Sequence, residues 1–397
     1  MEKLKKTYLF LAYLTFNCLV TFVLLNAILG IAFFARDRMT NPGGVDERVR
    51  GYREKFVDYD AYTRTTRADV TALLDEYDAM GTAGLQYKPW VQFRNPTVKG
   101  RLLNTDENGF RATAKPEGRP ARPVKVYVFG GSTTFGYGVA DKDTIPSYLQ
   151  ASLEHRYPNM AFVVRNFGQA YYYSTQEQAL LLEMLRDGDV PDWAVFIDGG
   201  NDTAQLALKH DEPIFSPALS RVWNQSAGEM PSATFAPVSR LPVGRLISGL
   251  RKRILKNSHE VSSQHTLIMN DTQLSDKERR EIIDYVVKHY SNNLRITRAV
   301  TREFGVDALF VWQPHPSYKY DRQLHKRFPF DGPVPGYLIG VFERMERYQE
   351  PNFLFLGGLT ERPEKSYVDD VHYNEVVNEQ IAKQIAKLIQ VDAKRQE

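Results

Sequence analysis

The residues of this sequence that are best suited to chemistry are a serine on a glycine bend and a histidine three positions after an aspartate. Ser132 follows Gly130 and Gly131 at the end of a β-branched run, residues 124–129. A strand that stops in a glycine turn exposes a hydroxyl and points N–H groups toward developing negative charge. A serine becomes nucleophilic when a base takes its proton, and a histidine held by a carboxylate is the usual base. The later Asp369–His372 pair fits that requirement, although the glycine bend alone also fits an ordinary loop or a phosphate-binding turn.

An attacked carbonyl develops negative charge, so the same site needs hydrogen-bond donors. Asn201 stands in a glycine-flanked loop, DGGND, and offers a side-chain amide; the N–H of Ser132 offers a second donor. Removal of one such donor typically costs about 3 kcal/mol of transition-state stabilisation. The acids on either side of Asn201 also fit simple loop caps. Two alternatives stay open: Asp370 as the orienting acid, and His315, between two prolines, as a substrate contact, a substitute base or a plain loop residue.

Strand and helix patterns alternate from residue 124 onward. Strands are predicted over 124–129, 161–165, 193–198, 306–313 and 352–356, and helices over 145–157, 174–185, 275–304 and 376–389. Serine-to-glutamate spacings at 174–177 and 275–278 both predict a capping box. Alternating strands and helices form right-handed βαβ units around a parallel sheet that is covered on both faces. Two long stretches, about 203–271 and 315–349, leave the carboxyl ends of strands and are predicted substrate lids.

Four short blocks in order, FGGSTTFG, NFGQAYYY, GGND and DDVH, resemble the conserved blocks of the SGNH hydrolases, also called the GDSL esterase/lipase family. The resemblance covers about residues 124–389, and NTDENGFR before it resembles an arm found in membrane-anchored bacterial members. It implies a three-layer α/β/α sandwich with a five-stranded parallel sheet of the flavodoxin-like kind. The first block reads GGST where the family name spells GDSL, so the serine is retained.

Carried over residue by residue, the resemblance makes Ser132 the nucleophile, His372 the general base and Asp369 its orienting acid. Ser132 and Asn201 then donate to the oxyanion. The second block departs from the pattern, because the oxyanion glycine of the family falls on Tyr171. Only a backbone N–H is needed there, so Tyr171 is the expected third donor and Gly168 the alternative.

An almost uninterrupted apolar run, residues 8–34, precedes the catalytic blocks and carries no charge. It exceeds the roughly 20 residues that cross a bilayer, so it predicts a membrane-spanning helix. The predicted organisation is a basic tail (1–6), an anchor helix (7–35), a stalk and aromatic-rich arm (36–123) and the hydrolase domain (124–397). Lysines precede the helix and arginines follow it, and we favour the catalytic domain on the extracytoplasmic side. A basic amphipathic stretch, 245–256, suits either a solvated helix face or contact with an anionic membrane.

Composition and net charge exclude several further classes of protein and of site. The chain has 397 residues, a formal net charge of +3 and a single cysteine, Cys18. Such a small charge without a nucleic-acid motif argues against a nucleic-acid partner, and one cysteine excludes an intramolecular disulfide. No cluster has the spacing of metal ligands, so neither a metal nor another cofactor is predicted.

The combined prediction is a membrane-anchored serine esterase that acts on an O-acyl ester of an envelope glycan, a lipid or a small molecule. Two alternatives stay open. An O-acyltransferase would pass the same acyl-enzyme to a sugar hydroxyl, and a binding or assembly component would keep the fold without turnover.

Overall fold

A computed structural model describes residues 2–40, 57–114, 123–207, 243, 246, 274–325 and 334–391. The chain divides into two compact units. One comprises residues 1–52 and 223–263, and the other comprises residues 53–222 and 264–397. The predicted basic helix at 245–256 lies outside the described residues apart from Leu246.

The second unit is built on a parallel sheet. A short antiparallel hairpin, β1 (Gln86–Lys88) and β2 (Gln92–Arg94), comes first. The sheet strands follow: β3 (Val124–Gly130), β4 (Phe162–Gly168), β5 (Trp193–Asp198), β6 (Asp307–Trp312) and β7 (Phe353–Phe355). Their order is β4-β3-β5-β6-β7, and every neighbouring pair is parallel. This is the flavodoxin-like order, in which ligands bind beyond the carboxyl ends of the strands next to the first strand.

Nine helices accompany these strands within the described residues. They are α1 (Glu2–Thr40), α2 (Arg67–Ala83), α3 (Ser132–Phe135), α4 (Ile145–Arg156), α5 (Ser174–Arg186), α6 (Gly200–Ala207), α7 (Asp276–Glu303), α8 (Gly336–Glu346) and α9 (Glu375–Leu388). The capping box predicted at 275–278 is confirmed at the start of α7. The box predicted at 174–177 is wrong: α5 is preceded by Tyr173, which makes no side-chain cap.

The side chains of each strand point alternately to the two faces of the sheet and pack into two hydrophobic cores, one on each face. Along β3, Val126 and Val128 pack with α4 and α9 on one face of the sheet. Tyr127 and Phe129 point the other way and pack with α5, α7 and α8. Successive strand residues face opposite sides of a sheet, so a strand that is apolar throughout must be covered on both faces. The predicted α/β fold with a five-stranded parallel sheet is therefore confirmed.

The stretch 315–349 is not simply a lid. Helix α8 lies within it, and its buried residues, among them Val341, Phe342 and Met345, join the core beneath β6. It is the crossover that returns the chain from β6 to the parallel strand β7, a connection that parallel strands require. Most of the other predicted lid, 208–242 together with 247–273, lies outside the described residues.

The arm before β3, of which residues 57–114 are described, belongs from residue 53 onward to the same compact unit as the sheet. Leu73 and Met80 of α2 are buried with Phe135, the last residue of α3. The beginning of the arm also meets the end of the chain. The N–H of Asp58 donates to the carbonyl of Val368 at 2.7 Å, and the Asn374 amide donates to the carbonyl of Ala61 at 2.9 Å.

The first unit contains α1. Residues 5–33 of this helix are long and apolar enough to cross a membrane, and none of that stretch is buried in the protein. A signal sequence near an N-terminus has the same length and composition.

Candidate active site

The bend at the end of β3 brings Ser132 to the carboxyl edge of the sheet. Gly131 precedes α3, and Ser132 is the first residue of that helix, where an N–H has no acceptor within the helix. A Cβ on Gly131 would lie 2.4 Å from Asn201 Nδ2 and 3.0 Å from the Tyr172 carbonyl oxygen. Glycine permits this approach without a clash, so the bend brings the backbone before Ser132 close to the Asn201 amide.

Ser132, His372 and Asp369 form one continuous chain of hydrogen bonds. Ser132 Oγ lies 2.8 Å from His372 Nε2. His372 Nδ1 lies 2.7 Å from Asp369 Oδ2 and 2.9 Å from Asp369 Oδ1. With the imidazole proton on Nδ1 facing the carboxylate, Nε2 is the acceptor for the serine proton. The carboxylate in contact with the ring is that of Asp369 and not that of its neighbour Asp370.

Asp369 is held ionised by the turn on which it sits. Burial pushes its pKa upward, but the charge and hydrogen bonds of His372 outweigh burial and lower the pKa. The N–H groups of Val371 and His372 add to this by donating to Oδ1 at 3.0 and 2.8 Å. A carboxylate that accepts several hydrogen bonds stays charged and oriented, which is what a histidine base requires.

Asn201 lies in the first turn of α6, with its amide next to the nucleophile. Nδ2 donates one hydrogen bond to the Tyr172 carbonyl at 2.7 Å. An amide nitrogen carries two hydrogens, so this bond fixes the amide plane while leaving one donor. A donor oriented before the reaction stabilises developing charge without reorganising.

The second block supplies the remaining backbone near the bend. Tyr171 has φ +62°, the left-handed region that favours glycine, and its side chain is exposed. It thus adopts the conformation usual for the glycine that the resemblance expected there. The N–H of Gly168, the alternative donor, donates to Asn166 Oδ1 at 2.9 Å, which favours Tyr171 for that role.

Three buried acids lie behind the Asn201 loop, and the sequence did not single them out as a group. Glu177, Asp198 and Asp202 are almost completely inaccessible to solvent. Asp202 accepts from the N–H and hydroxyl of Ser174, and Asp198 accepts from the Tyr290 hydroxyl at 3.0 Å. Burial, followed by their mutual repulsion, raises the pKa values of Glu177 and Asp198 well above normal. Burial raises the pKa of Asp202 to about 6.

Asp202 caps its loop as predicted, but its shorter hydrogen bonds have a different role. Asp202 accepts from the N–H of Gly199 at 3.4 Å, as a loop cap does. Its shorter hydrogen bonds, from the N–H and hydroxyl of Ser174, connect the loop to α5. Ser174 is the serine of the predicted capping box, and its hydroxyl donates to Asp202 instead. The sequence places three acidic residues near the ends of two strands, but only the folded structure shows that all three side chains are buried.

Two further polar residues flank the site. Gln313 Oε1 accepts from the Thr133 hydroxyl at 2.6 Å, which links β6 to the residue after the nucleophile. His315 packs beside Gly200, and its Nδ1 accepts from the N–H of Ser317 at 3.2 Å. Burial lowers the pKa of His315 to about 4, so the ring is neutral at pH 7. The imidazole in contact with Ser132 is that of His372.

Among the described residues, no group of three or more histidines, cysteines or acids is arranged to hold a metal ion.

Comparisons with known proteins return similar folds. No family model and no curated protein matches the chain. A lipase from a goat rumen metagenome is 13% identical, covering 66% of this chain and 96% of its own, with a TM-score of 0.36. A G-D-S-L family protein from Desulfitobacterium hafniense DCB-2 is 10% identical, covering 67% and 99%, with a TM-score of 0.35.

A variant of the acetyl xylan esterase Axe2 from Geobacillus stearothermophilus is 14% identical, covering 68% of this chain and 97% of its own, with a TM-score of 0.33.

Proposed function

We propose that this chain is a serine esterase of the SGNH (GDSL) type that cleaves an O-acyl ester through an acyl-enzyme on Ser132. The observation that carries the proposal is the hydrogen-bonded series from Ser132 Oγ through His372 to Asp369, with separations of 2.8 and 2.7 Å. These are distances at which a base takes a proton directly.

The first half of the reaction forms the acyl-enzyme. His372 Nε2 takes the proton of Ser132 as Oγ attacks the ester carbonyl carbon. The carbonyl oxygen becomes an oxyanion, which accepts from the N–H of Ser132, the side chain of Asn201 and the N–H of Tyr171. The C–O bond to the alcohol then breaks, and His372 returns its proton to the leaving oxygen.

The second half releases the acid. A water molecule enters the position of the departed alcohol, gives a proton to His372 Nε2 and attacks the acyl carbon. Collapse of the second tetrahedral intermediate breaks the bond to Oγ, and the proton returns to the serine. Asp369 stabilises the charged imidazole in both halves.

The proposal extends to the setting of the reaction. Helix α1 anchors the chain in a membrane, and the catalytic unit works on the extracytoplasmic side. An O-acyl group on an envelope glycan or lipid suits an enzyme tethered beside such substrates. The support for the anchor is the apolar stretch 5–33.

A fluorophosphonate probe tests the nucleophile on the full chain in detergent. We expect wild type to be labelled and to hydrolyse p-nitrophenyl acetate, and Ser132→Ala to do neither. Ser317→Ala, a serine on a nearby loop at the same sheet edge, is the matched control and should behave like wild type. Labelling of Ser132→Ala at the wild-type rate would refute the assignment.

A second measurement divides hydrolysis from acyl transfer. The same acyl donor is offered with water alone and with an oligosaccharide acceptor, and the products are separated. We expect free acid in both mixtures. Acylated sugar together with faster consumption of the donor would replace the esterase by an acyltransferase.

A further inference from the structure

The arm before β3 contributes buried polar side chains to the loop behind the nucleophile. This loop, residues 135–139, follows α3 and contains two glycines with positive φ, Gly136 at +89° and Gly138 at +85°. The backbone of the loop is joined to α3 by the N–H groups of Gly136 and Tyr137, which donate to the Ser132 carbonyl at 2.9 and 3.1 Å. Carbonyls of the loop and the ring of Tyr137 are held by side chains from the arm.

Arg111 supplies most of these contacts. Its side chain is completely buried and pairs with Asp141 through Nε at 2.5 Å. Nη2 donates to the carbonyl of Val139 at 2.9 Å, and Nη1 lies 3.4 and 3.3 Å from the carbonyls of Phe135 and Gly136. Removing the buried guanidinium takes a charged donor from each of these three carbonyls and leaves Asp141 without its buried ion pair, which favours a shift of the loop.

Tyr77 of α2 adds to this support, as does Tyr62, whose hydroxyl donates to the Gly138 carbonyl at 2.7 Å. The Tyr77 hydroxyl lies 2.6 Å from the carbonyl oxygen of Gly136 and accepts from Arg111 Nη1 at 2.7 Å. The Tyr77 ring stacks on the ring of Tyr137 with centroids 5.1 Å apart. Arg111 and Tyr77 lie outside the stretch that contains the catalytic blocks.

Tyr137 links this support to the base. Its ring stacks on the imidazole of His372 with centroids 5.4 Å apart and an angle of 24° between the planes. Asp369 holds the imidazole by its edge, which fixes the direction of Nδ1 but not the tilt of the ring. A parallel ring on the face restrains that tilt, and with it the distance from Nε2 to Ser132 Oγ.

We propose that Arg111 and Tyr77 are positioning residues, which hold loop 135–139 so that Tyr137 keeps the His372 ring aligned with Ser132. The inference rests on the proposed function and deepens it. The arm is then a working part of the catalytic centre.

Arg94 provides a matched control from the same arm. It is also a buried arginine, it pairs with Glu183 at 2.7 Å, and its guanidinium lies over the ring of Phe110. None of its described contacts reaches loop 135–139. Arg94→Met and Arg111→Met therefore remove similar buried ion pairs, and only the second removes the loop support.

The experiment compares kcat, KM, the rate of fluorophosphonate labelling and the melting temperature of the full chain. We expect Arg111→Met to lower kcat and the labelling rate by about tenfold or more with KM nearly unchanged, because misaligned groups slow chemistry more than binding. Tyr77→Phe should lower kcat less. Arg94→Met should lower the melting temperature as Arg111→Met does while keeping wild-type kcat.

A second pair of variants covers the case in which Arg111→Met does not fold. Tyr137→Phe keeps the ring and should keep kcat, whereas Tyr137→Leu removes it and should lose kcat at unchanged KM. Wild-type kcat in folded Arg111→Met and Tyr137→Leu, with wild type itself active, overturns this inference alone. A wild type that neither hydrolyses the ester nor takes the probe overturns the proposed function, and the inference with it.

Discussion

Replacing Asn201 by alanine separates transition-state stabilisation from protein stability. The amide makes one structural hydrogen bond, to the Tyr172 carbonyl at 2.7 Å, and its other hydrogen is available to the oxyanion. The two roles have different magnitudes, and both are lost in the same variant.

The structural bond is worth about 1 kcal/mol of unfolding free energy, the usual net value for a neutral hydrogen bond. The oxyanion donor is worth about 3–4 kcal/mol of activation free energy, or about 100-fold to 1,000-fold in kcat. The approach of Asn201 Nδ2 to Gly131 favours the upper part of this range, because the donor is already oriented beside the nucleophile. We therefore expect a large loss of kcat with a small loss of stability and little change in KM.

Hydrolysis of p-nitrophenyl acetate gives kcat and KM, and urea unfolding gives the stability of the same protein. Asn293→Ala is the control, since the Asn293 amide donates to two hydroxyls at 2.9 Å that belong to α5. It should lose stability and keep kcat. A kcat for Asn201→Ala within about threefold of wild type would refute the oxyanion role, because a lost donor is worth far more than that.

Three further predictions concern the surroundings of the site. Because burial raises the pKa of Asp202 to about 6 and raises that of Glu177 well above its normal value, the folded state binds more protons than the unfolded state above about pH 4. The free energy of unfolding should therefore fall from pH 5 to pH 8, and Glu177→Gln should flatten that fall in urea titrations; equal slopes would contradict the burial argument. Gly131→Ala should lower kcat by about tenfold or more, because the added methyl group displaces the Asn201 amide. The control is Gly81→Ala, where a Cβ meets nothing within 4 Å. Equal kcat values in the two variants would exclude the close approach of Asn201 to Gly131. Tyr171→Gly keeps the N–H and removes a strain of about 1–3 kcal/mol, whereas Tyr171→Val strains the same φ further, so thermal melting and kcat should rank glycine above valine.

The five strands and the Asp369–His372 contact could be predicted from the sequence because each has a local sequence pattern. Apolar runs bounded by glycines gave the five strands, and a spacing of three gave the contact between Asp369 and His372. Helix α8 left a weaker signal. Its N-cap, Pro335, makes no side-chain cap, and the helix falls inside a long stretch between two strands.

The support of loop 135–139 had no local signal. Arg111 and Tyr77 are polar or amphipathic residues in a polar arm, and their partners are backbone carbonyls that no sequence pattern marks. The hydrogen bond from the N–H of Gly168 to the side chain of Asn166 likewise had no sequence signal. Hydrogen bonds to the backbone depend on the folded path of the chain and not on residue type.

The meeting of the two ends of the catalytic unit has a consequence for the time at which activity arises. Ala61 and Asn374 are joined by a hydrogen bond although 313 residues separate them, and the N–H of Asp58 pairs with Val368, just before the Asp369–His372 turn. Contacts between distant residues form late, because the entropy of closing the loop is lost before the contact stabilises anything. A growing chain contains Ser132 long before His372, so the arm gains these contacts only after the later segment has been synthesised, and the hydrogen-bonded series from Ser132 to Asp369 is complete only when that segment docks.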